Sequence, residues 1–109
     1  MERDKPIERR GQPNEVYKDL KPTLRVALKI LEYSDVDGKD VHFSQLCGDL
    51  ATDVSRVSIH AALDALIDQG SLHSGWKKNA EGHWIRAYHI AGEEQRRQLR
   101  TLYRAAHNL

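Results

Sequence analysis

Six histidines and a single cysteine, Cys47, are the side chains that could hold a transition metal, and their spacing argues against it. No two histidines stand at the His-x-x-His or His-x-x-x-His intervals that set two ligands on one helix face, and Cys47 has no partner nearby. His83 and His89 would share a face of an extended segment but lie about 20 Å apart at roughly 3.3 Å per residue. No metal and no cofactor are expected. The histidines read as surface groups able to respond to pH near neutrality. Cys47 rules out an internal disulfide framework, and its place on an apolar stripe marks it as a buried structural thiol rather than a redox sensor.

Catalytic signatures are equally scarce. The chain has no Gly-rich phosphate loop, no His-Glu-x-x-His and no Gly-x-Ser-x-Gly. With 109 residues it has little room for a large pocket, so an enzyme is the class supported least. What remains is a set of cations: Arg56, the pair Lys77-Lys78, and Arg86, with His73, His83 and His89 alongside. Lysines in such a set can neutralise phosphates, each pair adding to the salt dependence of binding. Keeping an exposed hairpin soluble is the alternative role. Trp76 and Trp84 could stack on a ligand, yet beside three helices they are expected in the core.

The net charge of +1 hides an uneven distribution. Residues 1–33 carry eight basic and six acidic side chains, residues 34–70 two and seven, and residues 71–109 seven and three. A polyanion would be drawn to the last third and repelled by the middle. No segment approaches the ~20 apolar residues of a membrane span, and the start of the chain lacks the apolar core of a secretory signal. A single cytoplasmic domain is expected, with no membrane partner.

The elements that must position these cations follow from periodicity. Residues 1–15, with Pro6, Gly11, Pro13 and one isolated Ile7, predict a flexible arm whose Arg9-Arg10 pair either touches phosphates or merely solubilises. From Pro22, with Thr23 as a cap, Leu24, Ala27, Leu28 and Leu31 mark a helix that stops near Tyr33 at a polar turn. Ser44 then caps a short helix with Leu46, Cys47, Leu50 and Ala51 on one stripe. A third helix runs from about Arg56 to Gln69 and ends at Gly70. Leu72–Lys77 and His83–Ile90 read as strands of a hairpin, and Gly92–His107 as a last helix.

Three helices, a hairpin and a helix follow the order of a winged helix-turn-helix domain. The segment Phe-Ser-Gln-Leu-Cys-Gly-Asp-Leu-Ala from Phe43, followed by Asp53 to Leu72, resembles the helix–turn–recognition-helix pattern of winged-helix transcription regulators. Its most specific part is Leu63-x-x-Leu66-x-x-x-Gly70-x-Leu72. Tyr88-His89-Ile90-Ala91-Gly92-Glu93-Glu94 is similar to the hairpin exit of MarR-like and PadR-like regulators, with Ala91 in place of the usual Thr. The resemblance covers about residues 20–106. It implies an α+β, mostly α fold: a three-helix core, a β-hairpin wing and a C-terminal helix. It divides the chain into an arm (1–15), a winged-helix domain (16–91) and a C-terminal dimerisation helix (92–109).

Around the third helix, Ile59, Ala62, Leu63, Leu66 and Ile67 share one face, which must be core. The opposite face presents Val57, Ala61, Asp64 and Asp68, flanked by Ser58 and Ala65. The two aspartates oppose a phosphate backbone, so entry into a major groove must be led by the N-terminal tip with its positive dipole end. Ser55, Arg56, Val57, Ser58, His60 and Ala61 are then the candidates for DNA contact, with Arg56 suited to guanine. Lys77, Lys78 and Arg86 would hold flanking phosphates. In the last helix, Gln95, Arg96, Arg97, Arg100 and Arg104 form a polar side. Leu99, Leu102, Tyr103, Ala106 and Leu109 form a seam. Pairing of that seam with a second subunit is expected, as in dimeric members of the family, with packing onto the chain's own first helix as the alternative. The resemblance implies a homodimeric regulator of transcription bound to double-stranded DNA. The alternative is an interaction module in which the acidic third helix faces a protein.

Overall fold

The computed structural model describes residues 4–9 and 12–107. Its elements are α1 (Glu15–Lys18), α2 (Pro22–Glu32), a π-helical turn (Tyr33–Asp37), β1 (Val41–His42), α3 (Phe43–Leu50), α4 (Arg56–Asp68), β2 (Leu72–Lys78), β3 (Trp84–Ile90) and α5 (Glu93–Ala106). The fold is α+β, mostly helical, with one small antiparallel sheet in the order β1-β3-β2. No helix among the described residues is long and apolar enough to cross a membrane.

Helix α2 is the axis of the core. Val26, Ala27, Leu28, Ile30 and Leu31 are all buried, because α4, α5, α3 and β3 surround it. Leu24, expected on the buried face, is instead 37% exposed. Pro22 fits the first turn, where no N–H is needed, and Lys21 rather than Thr23 holds the N-cap position. Beyond Glu32 the chain widens into the π-helical turn and leaves it through Gly38, whose φ of 63° suits glycine.

Helix α4 is framed by two local devices. Ser55 Oγ accepts from the Ser58 amide at its start. At its end the Gly70 amide donates to Ile67 O and the Ser71 amide to Leu66 O, with Gly70 at φ 78°. This is the paired closure of a Schellman motif, which turns the chain directly into β2. The turn from α3 to α4 is pinned by buried Val54, whose amide donates to Leu50 O at 2.8 Å.

The expected flexible arm is held down where it is described. Ile7 is buried and its amide donates to Asp35 Oδ2 at 3.1 Å. Arg9 Nε donates to Glu32 Oε1 at 2.8 Å and Arg9 Nη2 to Asp37 Oδ2 at 2.7 Å, so this charge is committed internally rather than offered to phosphates. Arg10 and Leu109 lie outside the described residues.

Candidate nucleic-acid interface

The N-terminal end of α4 is open to solvent. Val57 is 80% exposed, and Arg56, His60 and Ala61 are exposed beside it, while Ser58 is half-buried. Ser55 and Ser58 are occupied with each other: Ser55 Oγ donates to Ser58 Oγ at 3.0 Å while accepting from the Ser58 amide. The hydroxyls therefore stabilise the tip. Arg56 and His60 are gathered around one ring, that of Phe43. The Arg56 guanidinium lies 5.5 Å over its centroid, and the His60 ring meets it edge-on at 5.0 Å.

Phe43 can serve both because it is the first residue of α3, against the expectation that Ser44 would cap that helix. Strand β1 keeps the chain extended through His42, so His42 becomes the N-cap. His42 Nδ1 accepts from the Gln45 amide, and the His42 amide donates to Gln45 Oε1 at 3.1 Å, a reciprocal capping box. Ser44 Oγ and His42 Nδ1 stand 2.8 Å apart.

The hairpin faces this tip with only part of its charge. Its register pairs Trp76 with Arg86 and Lys78 with Trp84, which sets these four on one face, continuous with buried Leu72, Ile90 and Tyr88. Lys77 pairs with Ile85 and points to the other face. The two lysines expected to act together are thus separated by the strand's alternation. Arg86 Nε and Nη2 donate to Ser74 Oγ at 3.0 and 2.9 Å, and its guanidinium lies over Tyr88. Lys78 Nζ sits 5.5 Å over Trp84. At the tip, Asn79 Oδ1 accepts from the Glu81 and His83 amides, and Gly82 takes a φ of 83°.

Trp76 and Trp84, expected in the core, are 69% and 62% exposed. The hairpin runs farther than the helices beneath it, so its apolar face continues past the core into solvent. The useful clue was distance along the strand: Trp76 lies four residues beyond Leu72, where the core begins to run out.

Charge pairing separates the cations of α5 from those near the α4 tip. Arg96 and Arg100 bind Asp35 at 3.1 and 2.7 Å, and Arg97 binds Asp4 at 2.6 Å. By contrast, Arg56, Lys77, Lys78 and Arg86 form no ion pair among the described residues. No described carboxylate neutralises them, and the same holds for Arg104 of α5, whose Nη2 donates to Lys5 O at 2.8 Å. Asp64 and Asp68 are exposed farther along α4, with Asp64 Oδ2 3.9 Å from His60 Nδ1.

The C-terminal seam is also divided. Tyr103 is 1% exposed and Ala106 is fully buried within the chain itself, which removes both from any subunit-pairing surface. Leu99 and Leu102 are half-buried and line an apolar hollow of about 300 Å³ with Leu24, Leu66, Gln69 and Gln98. Among the described residues no group of three His, Cys, Asp or Glu side chains is placed to hold a metal ion. Cys47 is buried.

The architecture is similar to that of Pex from Synechococcus sp., a solved structure that superimposes with a TM-score of 0.58. The match covers 84% of this chain and 90% of that one at 22% identity, a likeness of fold alone. No family model matches the sequence, and no curated protein matches it.

Proposed function

We propose that this protein is a winged helix-turn-helix DNA-binding protein, acting as a homodimeric regulator of transcription. The observation that carries the reading is that no described carboxylate pairs with the cations Arg56, Lys77, Lys78 and Arg86 at the α4 tip and hairpin, while Arg96, Arg97 and Arg100 of α5 are ion-paired within the chain. In this reading α4 enters a major groove tip first. Arg56 reads a base edge, Val57 and Ala61 offer apolar contact to thymine methyls, and Lys78 and Arg86 engage flanking phosphates. Tip-first entry keeps Asp64 and Asp68 away from the backbone. Subunits pair through Leu24, Leu99 and Leu102 rather than Tyr103 and Ala106. Such a dimer suits half-sites about one helical turn apart.

A second reading is favoured by the 80% exposure of Val57 on a helix that also presents Asp64 and Asp68: α4 docks on a protein partner. Fluorescence anisotropy separates the two. A labelled duplex from the protein's own upstream region is compared with a scrambled duplex at two salt concentrations. Tighter binding to the native duplex, weakening steeply with salt, is expected. No binding to either at low salt overturns the DNA reading. Val57→Asp breaking a partner complex that Arg56→Ala leaves intact would establish the protein reading.

A further inference from the structure

Two indoles on one hairpin face, both mostly in water, are the least explained feature of the surface. Exposed aromatic area of this size is costly to leave uncovered, and a tryptophan buries some 150–250 Å² when covered. Neither indole N–H meets an acceptor among the described residues. The two rings flank a cleft of about 390 Å³, whose opposite wall is the start of α3: His42, Phe43 and Ser44. Asn79, Ile85 and Arg86 complete the lining, and no carboxylate takes part. Lys78 covers one indole and Arg56 covers Phe43, so each of these rings carries a cation.

We propose that this cleft is a nucleobase-stacking site for unpaired bases, so that the protein prefers DNA containing an unstacked segment over a perfect duplex of the same length. The inference rests on the DNA reading above and deepens it. Flat aromatic faces beside cations match a base joined to its phosphate: the base stacks on Trp76 or Trp84 while Lys78 and Arg86 meet the backbone. His42, Ser44 and Asn79 offer hydrogen bonds to the base edges. A perfect duplex presents its bases edge-on, inside the stack, and cannot cover the indole faces. A protein partner is disfavoured by the chemistry of the walls: three aromatic rings lie beside cations that no described carboxylate neutralises, the combination that recognises a stacked polyanion.

The chain has two tryptophans and both stand here, so tryptophan emission, excited selectively over the four tyrosines, reports on this site. The full chain is titrated with three probes: a perfect duplex, the same duplex with a central unpaired segment of about four nucleotides, and an oligothymidine of about 12 nucleotides. Quenching by the unpaired segment and by oligothymidine is expected, with little quenching by perfect duplex. Affinity for the interrupted duplex should exceed that for the perfect one by about 5- to 100-fold, the range that stacking of one base supplies. Trp76→Ala should erase that preference while changing perfect-duplex affinity less than about twofold, and Trp76→Phe should retain most of it. Perfect-duplex binding without any preference or quenching overturns this inference and leaves the DNA reading standing. So does Trp76→Ala weakening all probes alike. Binding to none of the three overturns the DNA reading itself.

Discussion

The Tyr103 hydroxyl, near the end of α5, donates to Glu32 Oε2 at 2.9 Å inside the molecule, across 71 residues of sequence. This contact orients α5: its tyrosine face is turned onto α2 of its own chain. Glu32 also receives Arg9 and Lys29, so a carboxylate in a nearly dry site is fully partnered. Tyr103→Phe keeps the ring and removes one partner. We expect a loss of about 1–2 kcal/mol in urea unfolding, with no change in oligomeric state.

Asp35 and Arg100 form the second anchor of α5, at 2.7 Å and with side chains 2% and 7% exposed. Burial pushes the Asp35 carboxyl up, but hydrogen bonds from Arg100, the Ile7 amide and Arg96 outweigh it and hold it below the usual range. Removing one partner strands the other. Asp35→Ala should cost about 3–5 kcal/mol, and the double variant Asp35→Ala/Arg100→Met less than that, measured by chemical denaturation.

The same carboxylates govern acid stability. Burial raises the pKa of Glu32, yet Arg9, Lys29 and Tyr103 bring it below the ordinary value, as with Asp35. Both folded-state values being depressed, their contribution is full above the ordinary carboxylate pKa near ~4 and is lost as the pH falls below it. Thermal scans across this range should show a steep loss in the wild type. Asp35→Asn, less stable at neutral pH, should show a shallower one.

Tyr33 works at the alkaline end. Burial first, and then its hydrogen bond to Asp49 at 2.5 Å, push the phenol up to about 12. A raised folded-state value favours the neutral form, so this contribution is present below the ordinary phenol pKa and is lost as the pH rises through about 12. In a spectrophotometric titration of the folded protein, Tyr33→Phe should remove one late-ionising phenol and leave the remaining transitions in place.

Leu99 tests the redrawn subunit contact. It borders the hollow with Leu24 and Leu102, and is only half-buried by its own chain. Leu99→Arg should convert a dimer to a monomer in light scattering while retaining the helical circular dichroism. Retention of the dimer by this variant would sink the proposed seam.

Local signals in the sequence were sufficient for α2, α3, α4, the hairpin and α5, but not for the π-helical turn or the short strand β1, which exists only through its pairing with β3. Ser55 and Gly70 bound α4 because capping and a left-handed glycine are properties of a few adjacent residues. The hairpin was legible from its β-branched and aromatic runs, and α5 from its spacing of apolar residues. Strand alternation also contained the separation of Lys77 from Lys78, although reading both as one phosphate clamp passed over it.

The surfaces were decided elsewhere. Whether Tyr103 meets a second subunit or Glu32 depends on a partner 71 residues away, and Asp35 finds Arg100 across 65. Likewise, Trp76 and Trp84 are strand formers wherever they occur, but their exposure depends on how far the hairpin outruns the helices packed against it. Periodicity states that a residue belongs to a face. What covers that face is a property of the assembled chain, because burial is set by neighbours that only long-range packing brings together.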